Sequence, residues 1–161
     1  MEETDDKLLV RKIENGTVID HIPAWKSELV LRLLRMDRRE RLSAGYSVAI
    51  LENVFSKALG RKDVVKVDNW RIDESEADIV CLIFPTVTVN HISAWKVTKY
   101  APRVPDKIEG RVRCPELSCI SNAPREPLTP WFRTLKKDRL LQCGYCDTLV
   151  EFDRIPDRVM A

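Results

Sequence analysis

Four of the five cysteines in this 161-residue chain fall in its last third, as Cys114-x4-Cys119 and Cys143-x2-Cys146, with 23 residues between the pairs. Four thiolates match a tetrahedral divalent metal with no open position, so the site they imply is structural. One Zn²⁺ per chain is the expected occupant, with iron as the other soft-metal candidate. Two disulfides are the competing use of four cysteines. Residues 1–7 are acidic and lack the basic and apolar regions of an export signal, which predicts a reducing, cytoplasmic location and favours metal. Gly144 lies inside the second pair, where a tight turn is needed. A segment of about 50 residues buries little core alone, so metal binding supplies much of its folding energy. The fifth cysteine, Cys81, sits among Ile79, Val80, Leu82 and Ile83 and reads as a small buried hydrophobe.

Three stretches of the first hundred residues carry polar groups that a plain core does not need. Asp20-His21 interrupts the apolar run 17–22. Lys62 and Lys66 stand four apart, so on a strand both project from one face. Asn90-His91 lies in an alternating run, and Trp95, Val97 and Lys99 follow on the return. Lysines and a histidine can bond phosphate oxygens with charge assistance, and a carboxylate can accept from sugar hydroxyls. No glycine-rich phosphate loop is present, so side chains have to carry any anion. From pattern alone, a hydrogen-bonded surface pair is the favoured reading of Asp20-His21, and an exposed edge strand guarded by lysines is the alternative reading of Lys62 and Lys66.

The elements that position these groups read as mixed α and β. Residues 8–13 and 17–22 suggest two strands around the turn Asn15-Gly16. Pro23 suits the first position of a helix whose apolar face is Trp25, Leu29, Leu33 and Met36, running to about Arg38. Residues 43–51 are ambiguous. Residues 64–68 alternate as a strand. Asp73 to Glu76 opens an acidic helix that Pro85 ends, and 87–92 and 95–100 form a strand pair turning at Ser93-Ala94. The order β, β, α, β, α, β, β predicts an α+β sandwich with helices on one face of an antiparallel sheet. Two prolines in Ala101 to Asp106 favour an extended connector. The division expected is therefore residues 1–101, a linker at 102–110, and a small all-β zinc-binding domain at 111–161. Leu140, Leu141, Val150 and Phe152 fit strands flanking the second cysteine pair, with Trp131 and Phe132 as core.

Composition excludes several classes. At 44% hydrophobic and 32% charged residues the chain is globular. No apolar run approaches membrane-spanning length. The net charge of +2 is too balanced to mark a nucleic-acid binder, and Asp37 and Glu40 interrupt the basic run 35–41. The sequence shows no nucleophile with its base, no paired carboxylates and no open metal site, so an enzyme is not expected. A zinc-ribbon nucleic-acid module with an α/β partner domain is the alternative class.

The stretches GTVIDHIPA, GRKDVVKV and TVNHI, followed by the C-x4-C-x23-C-x2-C arrangement, resemble the regulatory chain of aspartate carbamoyltransferase over roughly residues 7 to 153. The resemblance implies a non-catalytic subunit. Its N-terminal domain would be a ferredoxin-like α/β sandwich that pairs with a second copy as a regulatory dimer. That domain would bind CTP and UTP as inhibitors and ATP as activator, exerting feedback control on pyrimidine biosynthesis. The zinc domain would dock onto the catalytic chain. By the same resemblance, Asp20 and Lys66 would hold the ribose. His21, Asn90 and Lys99 would serve the triphosphate, and Lys62 would reach ribose or phosphate. Backbone groups near Lys12, Ile13 and Ile92 would read the base, walled by Val18, Trp95 and Val97. This chain departs from the family pattern in several places. Trp95 replaces a usual Tyr, the return strand is one residue shorter before Lys99, and Glu116 and Ser118 replace amide side chains in the first cysteine loop.

Overall fold

The computed structural model describes residues 10–36 and 45–160. The first half is a five-stranded antiparallel sheet of β1 (Gly16–Pro23), β2 (Val48–Ser56), β3 (Gly60–Asp68), β4 (Thr88–Ser93) and β5 (Lys96–Tyr100), in spatial order β2-β3-β1-β4-β5. Two helices, α1 (Ser27–Leu33) and α2 (Glu74–Ile83), interrupt the strands. The sequence β-α-β-β-α-β with this strand order is the ferredoxin-like split βαβ arrangement, extended by β5 as an edge strand. The α+β class expected from the sequence is the one observed.

Period-2 alternation decides which side chains meet the helices. Ile19, Val65 and Val89 are opposite one another in the register and have no solvent exposure. They share one buried cluster with Val30, Leu31, Ala77, Val80 and Leu82 of the helices. Val18, Lys66, Asn90 and Lys99 therefore point to the face opposite the helices. Thr17 is buried on the helix side and fully bonded: its hydroxyl donates to the Trp70 carbonyl at 2.7 Å and accepts from the Ile72 N–H at 3.2 Å.

Each helix start has its own cause. Asp73 caps α2: its carboxylate accepts the Glu76 N–H at 2.8 Å while Glu76 accepts the Asp73 N–H at 3.1 Å, a complete capping box. No side chain of its own caps α1. Instead the fully buried Asp63 reaches over from β3. One of its oxygens accepts the Lys26 and Ser27 N–H groups at 2.8 and 2.9 Å, and the other accepts the Asn53 N–H at 2.8 Å.

Several sequence expectations need correction here. The element order is β, α, β, β, α, β, β: Val10 to Ile13 are irregular, and Leu8 and Leu9 lie outside the described residues. Pro23 does not start a helix; it closes β1 opposite Lys62, and Trp25 then turns with φ 66° before α1 begins at Ser27. That helix ends at Leu33 rather than near Arg38, and Asp37 and Arg38 are outside the described residues, as is most of the basic run 35–41. The ambiguous segment 43–51 contributes a strand from Val48 that extends to Ser56. Trp95 belongs to the turn between β4 and β5, with φ 67° after Ala94 at φ 47°. Phe152 opens a 3-10 turn rather than extending a strand.

The second half is a four-stranded antiparallel meander: β6 (Lys107–Glu109), β7 (Trp131–Leu135), β8 (Leu140–Cys143) and β9 (Leu149–Glu151). Phe132, Leu141 and Ile155 are its largest fully buried side chains. The 3-10 turn Phe152–Asp157 packs against both α1 and α2, so the buried side chains of the two halves form one continuous cluster. Among the described residues, ion pairs cross the seam from Arg32 to Asp157 and from Arg111 to Asp73, each at 3.0 Å, and from Arg111 to Glu76 at 3.8 Å. Among the described residues no helix is long and apolar enough to cross a membrane.

Candidate functional site

The four cysteines of the second half converge. Their sulfur atoms all lie within 4.8 Å of one another. Cys114 Sγ is 3.6 Å from Cys146 Sγ, and Cys119 Sγ is 3.8 Å from Cys143 Sγ. Four thiolates at the usual zinc–sulfur distance of about 2.3 Å stand about 3.8 Å apart along a tetrahedron's edges, so the set fits a single tetrahedral ion. All are free thiols, which sets aside the disulfide reading. Backbone N–H groups of Glu116, of Tyr145 and Cys146, and of Thr148 point at Cys114, Cys143 and Cys146 respectively. Burial, and then the neighbouring thiols, push the Cys114 thiol up; burial also pushes Cys143 up. For Cys146 burial is outweighed by the Thr148 hydroxyl and N–H, which bring it down to about 7. A cation at the centre favours the thiolate at every one of these positions.

The shell around the thiols is fixed by the loop sequences. Asn122 donates to the carbonyls of Cys114 and Glu116 at 3.0 and 2.8 Å, closing the first loop. In the second loop the backbone role assigned to Gly144 is different from a turn requirement. A Cβ there would stand 1.9 to 2.4 Å from the Trp131 ring, so glycine is needed to let the indole lie against the loop. Asp147, at φ 61°, makes the left-handed step instead. Trp131 is further held edge-on by Tyr145, with Lys107 over its ring at 4.9 Å, while Phe132 is fully buried core.

The remaining predicted residues assemble on the sheet face opposite the helices. One cross-strand row runs Ala49, Lys66, Val18, Asn90, Lys99 through all five strands. The next row places Gly16 beside Ile92 and Ile92 beside Val97. On the other side, Asp20 meets Lys62, Nζ to carboxylate at 2.8 Å. Here β1 bulges: His21 takes φ 56°, the register shifts between Ile19 and Ile22, and its Nδ1 lies 3.0 Å from the Thr88 hydroxyl. Lys99 stands opposite Asn90, while Tyr100, opposite Val89, turns to the helix side. Lys12 and Ile13 line a cavity of about 320 Å³ whose floor includes Lys66 and Ala49. The Lys66 ammonium donates to the Val10 and Arg11 carbonyls at its rim, each at 3.5 Å. Trp95 is largely exposed at the end of this region, its N–H donating to the Glu14 carbonyl at 3.0 Å.

The row has an unmet need. The Asn90 side-chain oxygen is buried and has no hydrogen-bond partner among the described residues. Buried acceptors of this kind are uncommon in folded proteins. Six cavity residues were not foreseen from the sequence: Val10, Glu14, Ser47, Val48, Ala49 and Asp68. Ser47 and Ala49 escaped because the strand that carries or adjoins them does not alternate cleanly. Glu14 and Asp68 carried no signal beyond charge.

A sheet with cations and one unpaired acceptor gathered on its free face, joined to a closed four-thiol site, defines a protein that binds and assembles. Comparison with known proteins narrows that class. Residues 8–102 match the family described as aspartate carbamoyltransferase regulatory chain, allosteric domain. Residues 106–156 match the metal binding domain of the same chain. The aspartate carbamoyltransferase regulatory chain of Hyperthermus butylicus is 42% identical over 159 residues, covering 98% of this chain and 97% of the relative. Those of Pyrobaculum arsenaticum and Saccharolobus solfataricus are 44% and 42% identical, covering 87% and 96% of this chain and 91% and 96% of theirs. The chain belongs to the aspartate carbamoyltransferase regulatory-chain family, with an allosteric and a metal-binding domain, and is a non-catalytic subunit.

Proposed function

We propose that this chain binds nucleoside triphosphates on the free face of its five-stranded sheet and passes their presence to a catalytic aspartate carbamoyltransferase chain. The observation that carries the reading is the row Lys66–Val18–Asn90–Lys99, in which a buried acceptor without a partner stands beside a lysine and one strand from another. Lys99 and His21 serve the phosphates, and Asn90 orients them. Asp20, paired with Lys62, and Lys66 hold the ribose. The base enters the cavity bounded by Lys12 and Ile13 and is read by backbone groups there and at Ile92. Val18 and Val97 wall the site, and Trp95 closes its end. CTP and UTP are the inhibiting ligands and ATP the activating one, which places the subunit in feedback control of pyrimidine synthesis.

The four thiols hold one structural Zn²⁺, and that domain docks on the catalytic chain. Two copies of the allosteric domain pair as a regulatory dimer. Residues 1–101 act as the effector unit, 102–110 as the link and 111–161 as the docking unit. Nucleic acid has no part in this reading. The test is reconstitution. The chain alone should show no carbamoyl transfer, and mixing it with its catalytic chain should make transfer CTP-sensitive. Removing zinc with a chelator should abolish that sensitivity while leaving catalysis intact. A chelated mixture that still answers to CTP would break the assignment. Oligonucleotide binding that falls steeply with salt, without CTP saturation, would favour the nucleic-acid alternative instead.

A further inference from the structure

The connector between the two halves is not a free tether. Asp78, on α2, accepts at one carboxylate oxygen from the Tyr100 hydroxyl at 3.1 Å and from the Arg103 N–H at 3.2 Å. One turn along the same helix face, the Cys81 thiol donates to the Pro102 carbonyl at 3.4 Å. Near the helix start, Arg111 donates to Asp73 at 3.0 Å and to Ser75 at 2.9 Å. Chain from Tyr100 to Arg111 is thus fastened at both ends of the stretch to a single helix.

Tyr100 is also the neighbour of Lys99, and the two point to opposite sides of β5. Because β5 is an edge strand paired only with β4, it is the strand most easily shifted by a pull on one side chain. We infer that the Tyr100–Asp78–Arg103 junction is the mechanical link by which a nucleotide held at Lys99 alters the posture of the metal-binding half. The inference rests on the effector reading above. Movement of β5 toward a bound phosphate draws the Tyr100 hydroxyl with it. The same carboxylate oxygen that receives this hydroxyl holds the first residues of the connector, so a change at one bond is felt at the other. Burial, and then Asp78, push the Tyr100 phenol up to about 12, so its hydroxyl stays a donor throughout the working pH range. The wall and phosphate groups of the pocket are untouched by this junction. Tyr100 and Asp78 are therefore positioning residues, and their loss should separate binding from response.

The experiment uses the full chain reconstituted with its catalytic chain. CTP affinity is measured by calorimetry and CTP response by carbamoyl transfer, for wild type, Tyr100→Phe and Asp78→Leu. Tyr100→Phe removes only a hydroxyl, and Asp78→Leu keeps the size of the side chain while removing its acceptor, so at least one variant stays folded and docked. The expected result is CTP affinity within about twofold of wild type, with the response smaller by about threefold or more. Amide exchange at Arg103, slowed by CTP in wild type, should become insensitive to CTP in both variants. A full CTP response in either variant with its hydrogen bond lost overturns the inference, as does a parallel loss of affinity and response. Failure of the effector reading is distinguishable, because it appears in the wild-type titration as an absence of CTP binding.

Discussion

Residues 16–100 and residues 107–159 are both antiparallel sheets, but different forces close them. Strands of the first run from five to nine residues, with Ile19, Val65, Val67 and Val89 at zero exposure beneath two helices. Strands of the second run from three to five residues and enclose only Phe132, Leu141 and Ile155 at zero exposure beside the thiols. A sheet that closes its core on one face leaves the other face available for a ligand. The smaller sheet has no such surplus, and its sulfur atoms take the place of core. On the proposed function, the first half would exchange ligands without unfolding, whereas the second would lose its form with its ion.

The largest effect should follow the loss of one sulfur. Cys143→Ser should abolish stoichiometric metal and leave residues 107–151 exchanging amide hydrogens freely, while β1, β3 and β4 stay protected. Metal binding supplies about 10–16 kcal/mol in small zinc peptides, far more than a sheet of this size gains by apolar burial. Metal analysis and site-resolved exchange check it; retained metal with a protected second sheet would show that apolar packing holds both halves.

The corresponding change in the first half is smaller and leaves the metal alone. Asp63→Ala removes one buried carboxylate and strands three N–H groups, at Lys26, Ser27 and Asn53. Each buried donor without a partner costs about 1–3 kcal/mol, reduced where water can reach it, so a loss of about 3 kcal/mol is expected. Denaturant unfolding followed together with metal content checks it. A loss below about 0.5 kcal/mol would mean that these donors find water and that Asp63 is not what fixes α1.

The two halves also differ in how far the sequence reveals them. Cys-x4-Cys and Cys-x2-Cys carry their meaning in spacing, because a tetrahedral ion admits few arrangements. The effector face has no such grammar. Lys66, Asn90 and Lys99 are adjacent only because β3, β1, β4 and β5 pair in one register, and pairing is a long-range property. Their association is legible through resemblance to a family and not through the residues alone. Strand β2 is hidden by Glu52-Asn53, where the register shifts and Asn53 adopts φ 56°, breaking the alternation. Residues 10–13 have the apolar content of a strand but form the rim of a cavity, with Lys66 bonded to their carbonyls. The helix start expected at Pro23 fails because β1 continues through its bulge to reach Lys62.

A third change probes the face itself. Lys66→Ala and Lys99→Ala should each weaken CTP binding about tenfold, the worth of one charge-assisted hydrogen bond of about 1.5 kcal/mol. Stability should be nearly unaffected, since both side chains leave the helix-side core intact. Calorimetric titration checks it, and equal affinity in both variants would remove the row from the binding site.

The smallest effect belongs to the seam between the two regions. Asp73 caps α2 and also receives Arg111 from the second half. Burial raises its carboxyl, but the Ser75 hydroxyl, the Glu76 N–H and the Arg111 charge outweigh this and hold it below the ordinary value of 3.8. A carboxyl depressed on folding adds stability that is complete above its unfolded value and disappears as pH falls through its folded value. Glu76 opposes it. Burial raises its carboxyl above 4.5, so its contribution is present at low pH and is lost as pH rises through that raised value. Both groups are partly open to water, which screens the exchange with Arg111. Asp73→Ala should therefore cost about 1 kcal/mol near neutral pH, the usual worth of an N-cap. The difference from wild type should shrink well below pH 3.8, where the wild-type carboxyl is protonated and loses the Arg111 attraction while its carbonyl oxygen still accepts the Glu76 N–H. Denaturant melts of both proteins at the two pH values check it. A cost that does not change with pH would assign the loss to the helix turn alone and leave Arg111 without an electrostatic part in joining the halves.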